Sequence, residues 1–305
     1  MHHALAALNR PHVALPVAAL IINAAVWGMS WWPFRELQSL GLHPLWSTAL
    51  IYFFSLGCIV VWRPGAWRSF VQHPQLWLLA LAAGLTNVGF NWAVTVGDVV
   101  RVVLLFYLMP AWSVLLAWAV LGETPTRASL LRLLLAMTGV LIVLKAPGSP
   151  WPVPQGIADW LALMGGLSFA ATNVLLRKLE YTPSASRMLA MFGGGGVLAS
   201  AAALLGLAGG IVSAPVWTTA WLPVALGLGL AFLISNMALQ YGAARLAAST
   251  TALVMLTEIL FASLSAAALG AAEFSPRTLV GGSLIVLAAL LAAMAPAQTG
   301  KAQHP

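Results

Sequence analysis

Ten predominantly apolar stretches, each near the length of a membrane span, constrain this chain more than anything else in it. They fall near 13–32, 45–62, 75–96, 101–121, 128–145, 155–176, 186–206, 217–241, 247–269 and 277–295. About 20 such residues, wound as a helix, match the roughly 30 Å hydrocarbon core of a bilayer. The connections are short and carry helix breakers: Arg63-Pro64-Gly65, Gly122-Glu123-Thr124-Pro125, Ala146-Pro147-Gly148-Ser149-Pro150 and Tyr181-Thr182-Pro183. None can hold a soluble domain. Only 7% of the 305 residues are charged, against about 25% in an ordinary soluble domain, so folding in water is excluded. The expected fold is an all-α polytopic membrane protein of ten transmembrane helices.

The net charge of +7 does not point to nucleic acid, because the basic residues stand singly between apolar runs, as membrane-protein loops carry them. Ten Lys/Arg, including Arg10, Arg63, Arg177, Arg245 and Lys301, fall on one side of the ten-span arrangement. Four, Arg35, Arg101, Lys145 and Arg277, fall on the other. The positive-inside rule then places both termini in the cytoplasm. The first apolar stretch is too long for a signal-peptide core and reads as a retained span. Trp31, Trp62, Trp77, Trp118, Trp151, Trp217 and Trp221 sit near helix ends, where interfacial belts account for them. The single cysteine, Cys58, allows no disulfide framework and no cysteine metal site.

The stretches repeat as five plus five, dividing the chain into 1–148 and 149–305. Displaced by about 148–151 residues, Pro110 meets Glu258, Gly122 meets Gly270, Pro125 meets Pro276 and Arg127 meets Arg277. Ala271-Ala272 interrupts the match of Glu123 to Glu273. Trp27-Gly28-Met29-Ser30 lies against Phe169-Ala170-Ala171-Thr172. Five is odd, so the halves enter the membrane in opposite directions. Inverted repeats place a substrate site near the midplane and suit alternating access.

Glu258 stands inside the apolar run 251–269. A charge at that depth costs roughly 2.5–3.5 kcal/mol on insertion scales, so such a group faces a cavity or a partner. Asn87 and Asn91 are four apart and share a helix face, as do Asn236 and Gln240 in the second half. The candidate substrate-binding set is Trp27, Asn87, Asn91, Tyr107, Asn173, Ser235, Asn236 and Glu258. Amides serve both ends of an amino acid, and an aromatic face attracts an ammonium. The alternative is polar contact between helices, about 0.6 kcal/mol each on average, with no substrate needed. Pro110 is expected to kink its helix. Gly193, Gly194, Gly195 and Gly196 weaken theirs, which reads either as a gating bend or as close helix packing.

Taken together, the Trp27-Gly28-x-Ser30 element, the Pro110…Gly122-Glu123 helix and the Glu258…Glu273 helix resemble the drug/metabolite transporter superfamily of the EamA type. Within it they are most similar to the YddG-type aromatic amino-acid exporters. The resemblance implies a bacterial inner-membrane, multi-pass exporter of amino acids or similar metabolites, working on a small-molecule substrate without cofactor or metal. Proton coupling through Glu258 and homo-oligomerisation remain open. Export of other metabolites or drugs, a channel and an intramembrane enzyme are the alternatives. Against the enzyme, His2, His3, His12, His43, His73 and His304 all lie outside the apolar stretches, and Asp98 and Asp159 fall at helix ends.

Overall fold

A computed structural model describes residues 11–97, 99–144, 154, 156–216, 218–270 and 276–294. Arg10, Asp98, Lys145, the turn at 146–150, Trp151, Trp217, the segment Ala271-Ala272 with Glu273, Lys301, and His2, His3 and His304 lie outside the described residues. Among those described there are fourteen helices and no strand. They are α1 (Pro11–Met29), α2 (Trp31–Ser39), α3 (Pro44–Trp62), α4 (Ala66–Gln72), α5 (Gln75–Val96), α6 (Val99–Phe106) and α7 (Met109–Leu121). α8 (Arg127–Leu144), α9 (Ile157–Lys178), α10 (Ser184–Ala208), α11 (Leu222–Ala243), α12 (Ala248–Met255), α13 (Glu258–Ala268) and α14 (Pro276–Ala293) follow.

Helix ends follow local chemistry. Pro44 opens α3, where its missing N–H costs nothing, and the His43 ring accepts the Leu45 N–H at 3.2 Å. Gly122 closes α7 with φ 69°, the left-handed conformation suited to glycine. α9 has Asp159 in its first turn and Arg177 and Lys178 in its last, each complementing the helix dipole.

By length and composition, eight helical stretches among the described residues can cross a membrane, counting α1–α2, α6–α7 and α12–α13 as one each. α14 adds a shorter apolar stretch, Leu279–Ala293. Large apolar side chains point outward: Val61 is 84% exposed and Leu205 67%. Patches of that kind suit lipid rather than water.

Small residues let the helices approach closely. α5 lies against α9 and α10, α1 against α11 and α13, α3 against α10 and α11, and α8 against α14. A Cβ on Gly84 would meet the Gly194 carbonyl at 2.6 Å. Gly139 and Gly281 face each other reciprocally, a Cβ on either meeting the other's carbonyl at 2.6 Å. Without a hydrophobic drive inside lipid, such close contact is what holds helices together.

Four features depart from the sequence reading. The first span runs on through α2 to Ser39, and α4 occupies a segment read as loop. The stretches 101–121 and 247–269 are each interrupted, between α6 and α7 and between α12 and α13. Pro110 does not kink a continuous helix; it sits in the first turn of a new one. Separately from these, α10 runs unbroken through Gly193, Gly194, Gly195 and Gly196. Instead of a bend, Gly194 abuts the Ala80 backbone and Gly195 the Tyr52 ring, where any side chain would collide.

Candidate substrate cavity

The phase set by Asn87 and Asn91 on α5 carries Ala83, Thr86 and Phe90 onto the same face, and all five line a central cavity. The opposite walls come from Trp27 on α1, Tyr52 on α3, Phe106 on α6, Phe169 and Thr172 on α9, and Met191 and Phe192 on α10. Asn236 and Leu239 on α11, Met255 on α12 and Glu258 on α13 complete it. The cavity measures about 80 Å³; one water needs roughly 10–15 Å³ on this measure, so there is room for several waters or a small solute.

Aromatic contacts stiffen the walls. Trp27 stacks on Phe232 with centroids 4.5 Å apart. Tyr52 meets Phe192 edge-on at 5.1 Å, and Phe90 meets Phe106 at 4.8 Å. The amides are held in turn. The Tyr52 hydroxyl donates to Asn87 Oδ1 at 2.8 Å, and Asn87 Nδ2 donates to the Ala83 carbonyl at 2.8 Å. Asn91 Nδ2 donates to Thr48 Oγ1 at 2.6 Å. Gln240 Nε2 donates to Asn236 Oδ1 at 2.7 Å, while Asn236 Nδ2 lies 3.5 Å from the Met191 sulfur.

Glu258 is the single charged residue among those lining the cavity. It opens α13, in the first turn, where the helix dipole favours a carboxylate. Its polar neighbour is the buried side chain of Tyr107, within hydrogen-bonding reach. Tyr107 sits at the other interruption, between α6 and α7. The two breaks thus meet at a carboxyl and a phenol beside the cavity.

The eight expected site residues separate into two groups. Trp27, Asn87, Asn91, Asn236 and Glu258 line the cavity; Tyr107, Asn173 and Ser235 do not. Tyr107 stands behind Glu258. Ser235 is fully buried and accepts from Asn23 Nδ2 at both its hydroxyl, 2.6 Å, and its carbonyl, 2.9 Å, joining α1 to α11. Asn173 is fully buried in α9, with neither amide atom partnered among the described residues. Pro110 is buried in the first turn of α7, and the four glycines lie where α10 meets α3 and α5. Tyr52, Phe90, Phe106, Phe169, Met191 and Phe192 were not singled out from the sequence. Phe90 was legible from the phase of Asn87 and Asn91, and Phe169 from its alignment with Trp27. No group of three metal-ligating side chains occurs among the described residues.

This geometry can be set beside known proteins. Residues 14–145 match the EamA-like transporter family. Over 165 residues the chain is 27% identical to Protein RarD of Streptomyces exfoliatus, covering 51% of this chain and 49% of that protein. Over 168 residues it is 26% identical to Uncharacterized transporter PA0485 of Pseudomonas aeruginosa, covering 54% of this chain and 46% of that one. The chain therefore spans about half the length of the curated relatives it matches. A solved crystal structure aligns with a TM-score of 0.73 over 92% of this chain and 96% of its own length. At 17% identity, that likeness concerns the fold alone.

Proposed function

We propose that this chain is a secondary transporter or facilitator of the bacterial inner membrane. It exports small molecules that carry an ammonium on an apolar body, amino acids foremost, and works by alternating access. The observation that carries this is the cavity itself: one carboxyl, Glu258, in a chamber walled by aromatic rings and amides. An ammonium gains from the carboxylate and from the ring faces, and the EamA-like match to the first half supports transport as the activity.

Ten spans in two inverted repeats, residues 1–148 and 149–305, account for the helix contacts. On this reading α8 and α14 are the fifth and tenth spans. Exchanging the halves then maps the α1–α11 contact onto α9–α5, α13–α1 onto α7–α9, and α11–α3 onto α5–α10; all of these contacts are present. The interruptions at Met109 and Glu258, where α7 and α13 begin, stand 149 residues apart. Discontinuous helices at a repeat interface are a recurrent way to build a midplane site. Both termini lie in the cytoplasm by the distribution of Lys and Arg.

A second reading of the substrate rests on a specific observation. Among the described residues no Lys, Arg or His lines the cavity, so a substrate carboxylate would meet only amides and hydroxyls there. Amines that lack the carboxylate fit this charge distribution better than zwitterions.

Counterflow in proteoliposomes tests both. Vesicles loaded with unlabelled phenylalanine or phenethylamine, and with aliphatic and cationic amino acids, are offered the labelled compound outside. Saturable exchange of phenylalanine supports amino-acid export; exchange of phenethylamine alone selects the amine reading. Flux that is unsaturable and unaffected by internal substrate would mark a channel and sink both.

A further inference from the structure

Away from the cavity, α7, α9 and α12 come together in one buried apolar contact of Ala117, Val174 and Ala248. Beside it lies a small pocket of about 10 Å³, lined by Ala117, Glu123, Ser129 and Ser249 among others. The Glu123 carboxyl is bonded to the Ala248 backbone and faces Arg177, and burial nonetheless holds it above the usual carboxylate range. Each of the three helices therefore presents one residue to the Glu123 site: Ala117, Arg177 and Ala248.

One helical turn further into the membrane, each of these helices carries a polar side chain on the same face. They are Ser113, Asn173 and Thr251, and all three are fully buried. Ser113 Oγ, Thr251 Oγ1 and both amide atoms of Asn173 have no hydrogen-bond partner among the described residues. Four polar atoms buried this way, on three helices that share one contact, call for bound water. Continuing inward, α7 begins just beyond Tyr107, and Thr251 is two turns from Glu258. The cluster thus lies between Glu123 and the Tyr107–Glu258 pair.

We propose that Ser113, Asn173 and Thr251 hold a file of water joining Glu258 to Glu123, and that this file carries the proton Glu258 exchanges during transport. The Glu258 carboxylic acid gives its proton to the Tyr107 oxygen as the Tyr107 hydroxyl releases its own to water. The file delivers one proton to the Glu123 carboxylate, and Glu258 is left ionised for an ammonium substrate. Besides Glu258, α1, α7, α12 and α13 carry no charged residue among the described positions. The charges of α9 are at its ends, Asp159, Arg177 and Lys178; α14 carries Arg277, α6 Arg101, α8 Arg127 and Arg132, and α1 has the titratable His12 in its first turn.

The inference rests on the transporter reading, and its test separates the two. Wild type and the double variant Ser113→Ala/Thr251→Val are reconstituted, and labelled phenylalanine or phenethylamine, whichever the wild type exchanges, is followed. Counterflow needs no net proton movement; uptake driven by a pH gradient does. Expected is unchanged counterflow with gradient-driven uptake reduced about tenfold or more in the double variant. Gradient-driven uptake at the wild-type rate overturns the file, as does a wild type indifferent to the gradient. A wild type without counterflow overturns transport and, with it, the proton's role. A structure of the wild-type protein at water-resolving resolution is the second arm and needs no variant. Water within hydrogen-bonding distance of the Asn173 amide is expected, and a dry cluster overturns the proposal.

Discussion

The α6–α7 and α12–α13 interruptions occupy matching places in the chain and are built by different chemistry. At the first, Pro110 has no N–H to give the Phe106 carbonyl. The backbone tightens through Leu108 N to Leu105 O, 3.3 Å, and Ala111 N to Leu108 O, 3.0 Å. At the second there is no proline. Thr257 turns its hydroxyl back to the Val254 carbonyl at 2.8 Å, a bond that competes with the helical ladder. Leu256, Thr257, Ile259 and Leu260 each donate to the carbonyl three residues back, at 3.0–3.3 Å. Each break sets a carbonyl against a glycine of a crossing helix: Phe106 against Gly166 of α9, and Glu258 against Gly28 of α1. The comparison teaches that one backbone geometry can be reached by deleting a donor or by diverting acceptors. The second route leaves its position free to carry a carboxyl.

The largest expected effect comes from removing that carboxyl. Glu258→Gln keeps the shape of the side chain and deletes its charge. Counterflow of an ammonium substrate should fall about tenfold or more, equivalent to at least ~1.4 kcal/mol of lost interaction. Any dependence of transport on pH should flatten. Initial rates over a series of pH values check both, and an unaltered pH profile at unaltered rate removes Glu258 from the mechanism.

Gly28→Val comes next. A Cβ at Gly28 would meet the Glu258 carbonyl at 2.5 Å and the Phe261 side chain at 2.8 Å. Because the close neighbour is backbone, it cannot swing aside. Overpacking of this kind costs about 1–3 kcal/mol, to be read as a lowered thermal-unfolding midpoint in detergent. A Gly28→Val protein as stable as wild type would mean that α1 and α13 do not touch there.

A third substitution tests whether the second break is inherent. Ile259 and Thr257 have backbone partners across it, whereas no backbone bond joins the Glu258 N–H to α12. A proline there should remove little. Glu258→Pro is expected to cost no more than about 1 kcal/mol beyond Glu258→Ala, which equally strips Tyr107 of its partner, since the first helical turn accepts proline. Leu264→Pro, in the middle of α13, should cost ~3 kcal/mol or more. Equal losses would show that α12 and α13 form one continuous helix.

These breaks mark the limit of what was legible in the amino-acid order. The apolar stretches are, because bilayer thickness imposes their length, and nearly all become helices within a few residues of their expected ends. Asn87 and Asn91 were legible as a face because a period of 3.6 is written in their spacing. Tyr52, Met191 and Phe192 were not. α3 and α10 are apolar almost all round, so only contacts with other helices decide which side meets the cavity. The α12–α13 break was illegible for a related reason. It contains neither glycine nor proline, and threonine beside glutamate interrupts a helix only when the surroundings favour the diverted bonds. Ser235 and Asn173 were expected beside the substrate because intramembrane polar groups suggest function. Their helix phase turns Ser235 toward Asn23 of α1 and buries Asn173 away from the chamber.

The smallest predicted effect belongs to that Asn23–Ser235 contact, and it sharpens the comparison by contrast. Here two polar side chains on α1 and α11 meet fully buried, at 2.6 Å, and neither lines the central cavity. Hydrogen bonds between membrane helices average about 0.6 kcal/mol in double-mutant cycles, because the separated helices find other partners in the membrane. Ser235→Ala removes the hydroxyl but leaves the Ser235 carbonyl as an acceptor for Asn23 Nδ2, at 2.9 Å. The amide therefore keeps one of its two bonds, and the stability loss should stay below about 1 kcal/mol. Substrate exchange should be unchanged. Asn23→Ala breaks both bonds and should cost more than Ser235→Ala; the double variant should add little beyond Asn23→Ala alone. A large loss of transport from Ser235→Ala, with stability intact, would move Ser235 from the α1–α11 seam into the transport pathway, where Glu258 stands.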